Sequence, residues 1–396
     1  MIAIVAALAL ATPSPAGSWR AVLDVAGGPL RFAITIEQAD GAWRGRLCNA
    51  AVCEPFSAVR IGGDTVVLAM ADYNASITAT LAGDSLTGTY QNVGSRGPRT
   101  IPFRAGRGVW PAEAVPAWLR GRWDAWFVTD GRTSPRAFEF RGARSGLEGT
   151  VVSNNGDYGV FWGRADADSF SMAHFDGSFV YMLTGRLEGA GGGGDTLRGL
   201  FHAGQRTQTP FVAWRATGRP HLTPPEQVTR ADTTAPFRFA FPDLDGRLVT
   251  SDDERFRGKD VIVDVIGTWC PTCHDAAPTM VRLYERYRSR GLAMVALAYE
   301  VSGDTAQDAP LLRRYRDKFG IRFPLLLAGI SDTRAAAATL PQLSGFTAFP
   351  TAIFLGRDGR VRRIHAGFYG PGLGAERTAQ LERQFEREIE RLLAER

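Results

Sequence analysis

The sequence predicts a multidomain chain in which two tandem antiparallel β-modules, each a barrel or a sandwich, precede an α/β domain. Three observations carry this expectation. At 396 residues the chain is too long for one ordinary core, so two or three domains are expected. The first half repeats itself, with a period of about a hundred residues that is too long for a solenoid. The second half alternates buried strands with helices around a Cys-x-x-Cys pair, Cys270 and Cys273.

Met1–Ala11 is an apolar run followed by Thr12-Pro13-Ser14-Pro15-Ala16. It is too short to span a bilayer and reads as a secretory leader over residues 1–16, although a basic start is missing. The expected location is periplasmic or otherwise exported: cleavage is expected after Ala11 or Ala16, and only a leader kept uncleaved would anchor the chain to a membrane.

The repeats are expected over residues 17–108 and 121–218. Gly17-Ser18-Trp19 returns as Gly121-Arg122-Trp123, and Gly83-Asp84-Ser85-Leu86-Thr87-Gly88 returns as Gly194-Asp195-Thr196-Leu197-Arg198-Gly199. Both copies close on a strand with a Pro-Phe pair, Pro102-Phe103 and Pro210-Phe211. Runs of alternating character between turn signals fit small antiparallel modules. The glycine run Gly191–Gly194 reads as a hairpin loop, since it opens no helix as a phosphate cradle must. The Gly-x-Trp start resembles lipocalin- and avidin-type modules, where it reads as a plug of the β-core or as part of a ligand site.

Net charge is +5, from 46 Lys+Arg against 41 Asp+Glu. The two signs are interleaved, so no nucleic-acid footprint stands out. The four cysteines form two local pairs, which fits an oxidising compartment. Cys48 and Cys53 read as a structural disulfide across a hairpin. A zinc site built from all four sulfurs would need the domains to meet at one point, so no metal and no cofactor are expected.

Arg219–Pro236 holds four prolines and reads as a linker, placed at 219–234, before an α/β domain at 235–396. Asp243-Leu244-Asp245-Gly246 forms a hairpin turn. Val261–Ile266 and Leu292–Tyr299 are continuous apolar runs, hence buried strands. One helix runs from the cysteines to about Arg290 and another occupies Pro310–Phe319. The strand Phe323–Leu327, a helical insert at Asp332–Leu340 and a hairpin of Thr351–Leu355 with Val361–His365 follow. The last helix, Glu376–Glu395, presents Leu381, Phe385, Ile389 and Leu392 inward and carries Glu/Arg pairs at i,i+4 outward.

The chemistry sits in Gly267-Thr268-Trp269-Cys270-Pro271-Thr272-Cys273. A helix N-terminus carries unpaired N–H donors and partial positive charge, which lowers a cysteine pKa from about 8.5 towards 7 or below. Cys270 is therefore the expected nucleophile and the more exposed sulfur, with Cys273 one turn inside as its partner for a short disulfide.

This order of elements resembles the thioredoxin superfamily, and within it the TlpA/ResA-type exported thiol–disulfide oxidoreductases. Trp269 directly precedes the first cysteine, Pro278 follows the second by five residues, and Phe349-Pro350-Thr351 stands where that family keeps a cis-proline. The resemblance covers Ala235–Arg396. It implies catalytic Cys270, Cys273 and Pro350, substrate docking at Trp269 and Phe349, protein disulfides as substrates, and a membrane thiol–electron donor. It also favours the reductive direction, which the residues themselves leave open.

One departure is informative. Many members carry a glutamate three residues after the second cysteine, where this chain has Ala276. Asp264, six residues before Cys270, is the candidate to supply that acid–base function, because a buried carboxyl acquires a raised pKa. A strand-end aspartate held by backbone N–H groups is the plain alternative. His274 reads either as a cation favouring thiolates or as a surface residue. The rival for the whole chain is a ligand- or partner-binding β-protein with a redox-sensing or metal-handling domain at Cys270, Cys273 and His274. The first half offers no catalytic constellation, so docking or substrate capture is its expected contribution.

Overall fold

The computed structural model describes residues 14–94, 97–189 and 195–395. Most of the expected leader and the run Gly191–Gly194 lie outside the described residues. No helix among them is long and apolar enough to cross a membrane.

Each β-module is a circuit of nine strands, and the two circuits match strand for strand. In the first, Gly17–Val25 pairs on one side with Gly28–Ala39 and on the other with Gly97–Arg107. In the second, Gly121–Thr129 pairs in the same way with Arg132–Ala143 and Thr207–Arg215. The shared Gly-x-Trp is a plug in both. Trp19 is fully buried, donates its indole N–H to Pro15 O at 2.9 Å and lies under Arg107 at 4.4 Å. Trp123 is fully buried, donates to Leu119 O at 2.9 Å and lies under Arg215 at 4.1 Å. A buried indole needs a partner for its N–H, and the cation over its face adds attraction.

The repeated Gly88 and Gly199 mark the same tight crossing. A Cβ there would sit 2.0 Å from Thr78 O in the first module and 1.9 Å from Thr184 O in the second. Such a close backbone approach admits only glycine.

The modules differ at one seam. In the second, Gly146–Ser153 pairs with both Arg132–Ala143 and Phe161–Ala165, closing the barrel. The corresponding strand of the first, Ala42–Asn49, pairs with Gly28–Ala39 and Val52–Pro55. It forms no ladder with Ala58–Gly62, so that sheet stays open. A disulfide joins Cys48 to Cys53 across the hairpin beside the seam. Phe127, Phe138, Phe140 and Phe211 fill the second barrel. The core of the first takes in Phe175 and Val180 from its neighbour.

The C-terminal domain follows a four-residue helix, Pro225–Val228, inside the expected linker. Its sheet is built from β1 (Asp260–Ile266), β2 (Leu292–Glu300), β3 (Leu325–Ile330), β4 (Thr351–Leu355) and β5 (Val361–Ala366). The strand order is β3-β2-β1-β4-β5, with β1–β2–β3 parallel and the other two antiparallel. The helices are α1 (Pro271–Tyr287), α2 (Thr305–Phe319), α3 (Thr333–Thr339) and α4 (Ala375–Ala394).

Helix α2 begins a turn earlier than the Pro310 start expected from sequence. Asp304 caps it by accepting the Ala306 N–H, and Pro310 falls inside the helix. On α4, Glu382, Glu386 and Glu390 reach across to Arg282 and Arg286 of α1 and to Arg290 in the turn just after it. This inter-helix ladder stands beside the local pairing expected from sequence, which Arg391 makes with Glu388 and, at i,i+4, with Glu395. These rungs are exposed and screened by solvent and salt, so each adds little to stability.

Candidate active site

Strand β1 delivers the dithiol. All seven of its residues are buried, and it ends at Gly267, where the chain turns into α1. Cys270 N donates to Gly267 O at 3.1 Å, and Cys270 O accepts the N–H groups of Cys273 and His274. Cys270 thus stands at the cap of α1 with Pro271 as the first helical residue, a place where a missing N–H costs nothing. Its sulfur hydrogen-bonds Phe349 O at 3.5 Å, and the Phe349–Pro350 peptide is cis. Trp269 closes the side, donating to Tyr299 O at 2.8 Å with its ring edge-on to Phe349 at 5.5 Å. The residues assigned to docking and the two cysteines therefore meet at one point.

Cys273 is fully buried. Burial pushes its thiol well above the ordinary value, reinforced by the hydrogen bond and charge of Cys270. Asp264 lies on β1 between Ala296 and Ala352, close enough for its charge to act on Cys273. Desolvation alone pushes its carboxyl up to about 7. The carboxyl is therefore poised to exchange a proton near neutrality.

His274 departs from both expectations. It is 7% exposed, its Nε2 hydrogen-bonds Thr268 O at 2.7 Å, and it packs on Tyr73 of the first module at 4.6 Å. Burial, helped by the charge of Lys318, pushes its pKa down to about 4. It is a neutral packing residue and donates no positive charge to the sulfurs.

Cys270 is the more exposed sulfur, but at only 3%. The β-modules form the wall that faces it. Its sulfur lies in the wall of a cavity of about 1050 Å³ lined by all three domains. The facing wall includes matching hairpins of the two modules. The first, between Thr65–Met70 and Ala75–Ala82, sets Tyr73 on His274 and Asp72 on Lys318 Nζ at 2.7 Å. The second, between Ser169–Phe175 and Val180–Glu188, donates Ser178 Oγ–H to Trp269 O at 3.0 Å. Asn49, next to the disulfide, fixes that hairpin by bonding both N–H and C=O of Phe175 at 3.2 and 2.7 Å.

A further contact holds the second module down. Gly156 pairs with Phe368 at φ +111°, where a Cβ would lie 2.1 Å from Phe368 O. Its neighbour Asp157 accepts the Gly370 N–H at 2.6 Å and the Gly159 N–H at 2.9 Å.

Sequence reasoning missed several site residues. Glu300, 1% exposed, takes the Thr268 N–H at 2.9 Å and the Thr268 hydroxyl at 2.6 Å, fixing the turn before Trp269. Burial pushes its carboxyl up to about 7. A charge ending the apolar run Leu292–Tyr299, at the carboxyl edge of a parallel sheet, was the available signal. Asp157, pushed by burial to about 6, and Tyr181, pushed well above 10 by burial, come from the module side and gave no local signal.

Residues 230–379 match the Redoxin family. The chain carries a TlpA/ResA-like redoxin domain of the thioredoxin superfamily. The redoxin domain is similar to "Thiol-disulfide oxidoreductase ResA" of Halalkalibacterium halodurans, 27% identical over 33% of this chain and 65% of that protein. The protein of the same name from Geobacillus thermodenitrificans is 27% identical over 34% of this chain and 68% of its own length. The chain thus spans about two thirds of these relatives. Among solved structures, a thioredoxin-family thiol:disulfide interchange protein from Chlorobium tepidum is 25% identical, covering 42% of this chain and 99% of that one at a TM-score of 0.32.

Proposed function

We propose that this chain is an exported thiol–disulfide oxidoreductase that reduces protein disulfides through Cys270 and Cys273. The observation that carries the reading is the meeting of Cys270, at the head of α1, with the Phe349–Pro350 peptide above a buried Cys273. Asp264 and its raised pKa add the proton acceptor that Ala276 cannot supply.

The sequence of steps follows from these positions. The Cys270 thiolate attacks one sulfur of the substrate disulfide and forms a mixed disulfide. Cys273 loses its proton to Asp264, attacks the Cys270 sulfur and releases the reduced substrate. Trp269 and Phe349 border the approach to Cys270, and Pro350 offers no N–H to compete there. A membrane thiol donor restores the dithiol. The Cys48–Cys53 pair stabilises its hairpin and takes no part in exchange. Export follows from the leader pattern and from that disulfide, which persists in an oxidising compartment.

Reduction of an unfolded, disulfide-scrambled protein by the full chain tests the reading. Cys270→Ser is expected to abolish turnover, while Cys273→Ser stalls at the mixed disulfide. Undiminished reduction by Cys270→Ser would remove the assignment.

A further inference from the structure

The cavity over Cys270 raises a question that the dithiol alone does not answer. Its wall on the α1 side belongs to the redoxin domain, and its opposite wall is made by both β-modules. We propose that this cavity binds an unfolded peptide segment whose disulfide is flanked by lysine or arginine, and that the β-modules are the selecting wall. The proposal rests on the exchange reading above and adds the substrate class.

Size excludes folded substrates. A space of about 1050 Å³ sits at the upper end of ligand pockets, which run roughly 300–1,000 Å³. It holds a few residues of extended chain and excludes a folded domain, and a sulfur exposed by 3% is out of reach of a disulfide on a flat surface.

Charge points to a cationic segment. The inner wall carries Asp157, 3% exposed, Asp176, whose side chain is 12% exposed, and Asp275. Glu54 joins them at the rim. The nearby cations are engaged, Lys318 by Asp72 at 2.7 Å and Arg282 by Glu382 at 2.6 Å. Asp176 already bonds the His174 ring at 2.9 Å, and Asp157, Asp275 and Glu54 form no salt bridge among the described residues. Burial raises Asp275 well above the usual carboxylate range, with further repulsion from Asp157, Asp176 and Glu54. An ammonium or guanidinium brought among these groups relieves that repulsion.

The aromatic residues agree. Tyr73, Tyr158, Phe179 and Tyr181 line the module side, and Tyr181 is near enough to Cys270 for the sulfur's charge to act on its phenol. Ring faces attract the same cations and supply apolar area for an unfolded chain.

The chemistry balances. One S–S bond of the peptide breaks and one forms between Cys270 and Cys273. Two electrons and two protons pass from the protein thiols to the peptide, and an external dithiol returns them.

The test uses the full chain, reduced with dithiothreitol and desalted, and three cystine peptides differing only in their flanks: lysine, serine or glutamate. Second-order rate constants at low ionic strength are expected to rank lysine over serine over glutamate, with about tenfold between the extremes. That ratio should shrink as salt is added and fall in Glu54→Gln and Asp176→Asn. A variant that misfolds leaves the wild-type salt series as the deciding measurement. Equal rates for the three peptides, or a preference for glutamate, overturns the charge assignment. A native protein reacting as fast as its unfolded, disulfide-scrambled form overturns the enclosure. Reduction of the serine peptide by wild type but not by Cys270→Ser keeps the exchange reading intact while either part fails; reduction of none of the three overturns both.

Discussion

In the second β-module Gly146–Ser153 pairs on both sides and the barrel is sealed, whereas in the first the same step of the circuit is left unpaired between Ala42–Asn49 and Ala58–Gly62. The open module receives what the closed one extends. Phe175, at the end of Ser169–Phe175, packs against Phe32 at 4.9 Å and Tyr90 at 5.0 Å. Tyr90 donates its hydroxyl proton to Gly177 O at 3.0 Å. Duplication thus gave two copies of one plug and one circuit, and divergence at a single seam let one copy grip the other. The grip brings both hairpin tips to the cavity that holds Cys270, one onto His274 and the other onto Trp269.

The plugs offer the largest effect by which to break this comparison. Trp19 and Trp123 are both fully buried under an arginine, so Trp19→Ala and Trp123→Ala should each cost about 3–5 kcal/mol. Denaturant unfolding of the full chain checks it. A loss confined to Trp123→Ala would mean that the open module owes its stability to its partner and not to its own plug.

Asp264 supplies the contrast from the redoxin side, with an effect set by pH. Its carboxyl ionises near 7 in the fold and near 3.9 in the unfolded chain. Between those values the folded protein binds more protons, so this group's contribution to stability falls as pH rises from about 4 to 7 and levels off above. Asp264→Asn should remove that slope and be the more stable above pH 7. It should also remove the inflection near pH 7 in the release of reduced substrate. An unchanged rate profile would leave Asp264 as a strand residue without acid–base work.

Asn49→Ala tests the grip itself. Its amide bonds both backbone groups of Phe175, and truncation leaves a buried N–H and C=O unpaired at a cost of about 1–3 kcal/mol. Hydrogen exchange should quicken at residues 174–180, and Cys270 should alkylate faster if that hairpin is the cover. Faster exchange without faster alkylation would place the cover elsewhere.

The redoxin half was legible because its signals are local. Val261–Ile266 is an apolar run interrupted only by Asp264, which is conspicuous as its one charge, and the cysteines follow within a few residues. The repeat was legible through Gly-x-Trp and the paired Gly-Asp turns. The covering of the dithiol was not, because it depends on contacts between residues far apart in sequence, such as Ser178 with Trp269 and Tyr73 with His274. His274 read as solvent-facing for the same reason: its burial is supplied partly by a domain two hundred residues earlier. Seam closure was equally hidden, since strand composition does not say which edges will pair.

The smallest effect concerns the hairpin of the first module. The Lys318–Asp72 pair joins it to α2 with side chains 32% and 17% exposed, so a double-mutant cycle should give about 0.2–1 kcal/mol, diminishing with salt. His274 offers a sharper readout of the same contact. Its pKa is low through burial first and the charge of Lys318 second. Lys318→Ala should therefore raise the His274 titration from about 4 while leaving it below its ordinary value of about 6.5, as followed by NMR. A return to the ordinary value would mean that removing one ion pair had lifted the hairpin from the ring, making that pair the latch of the cover rather than a minor contact within it.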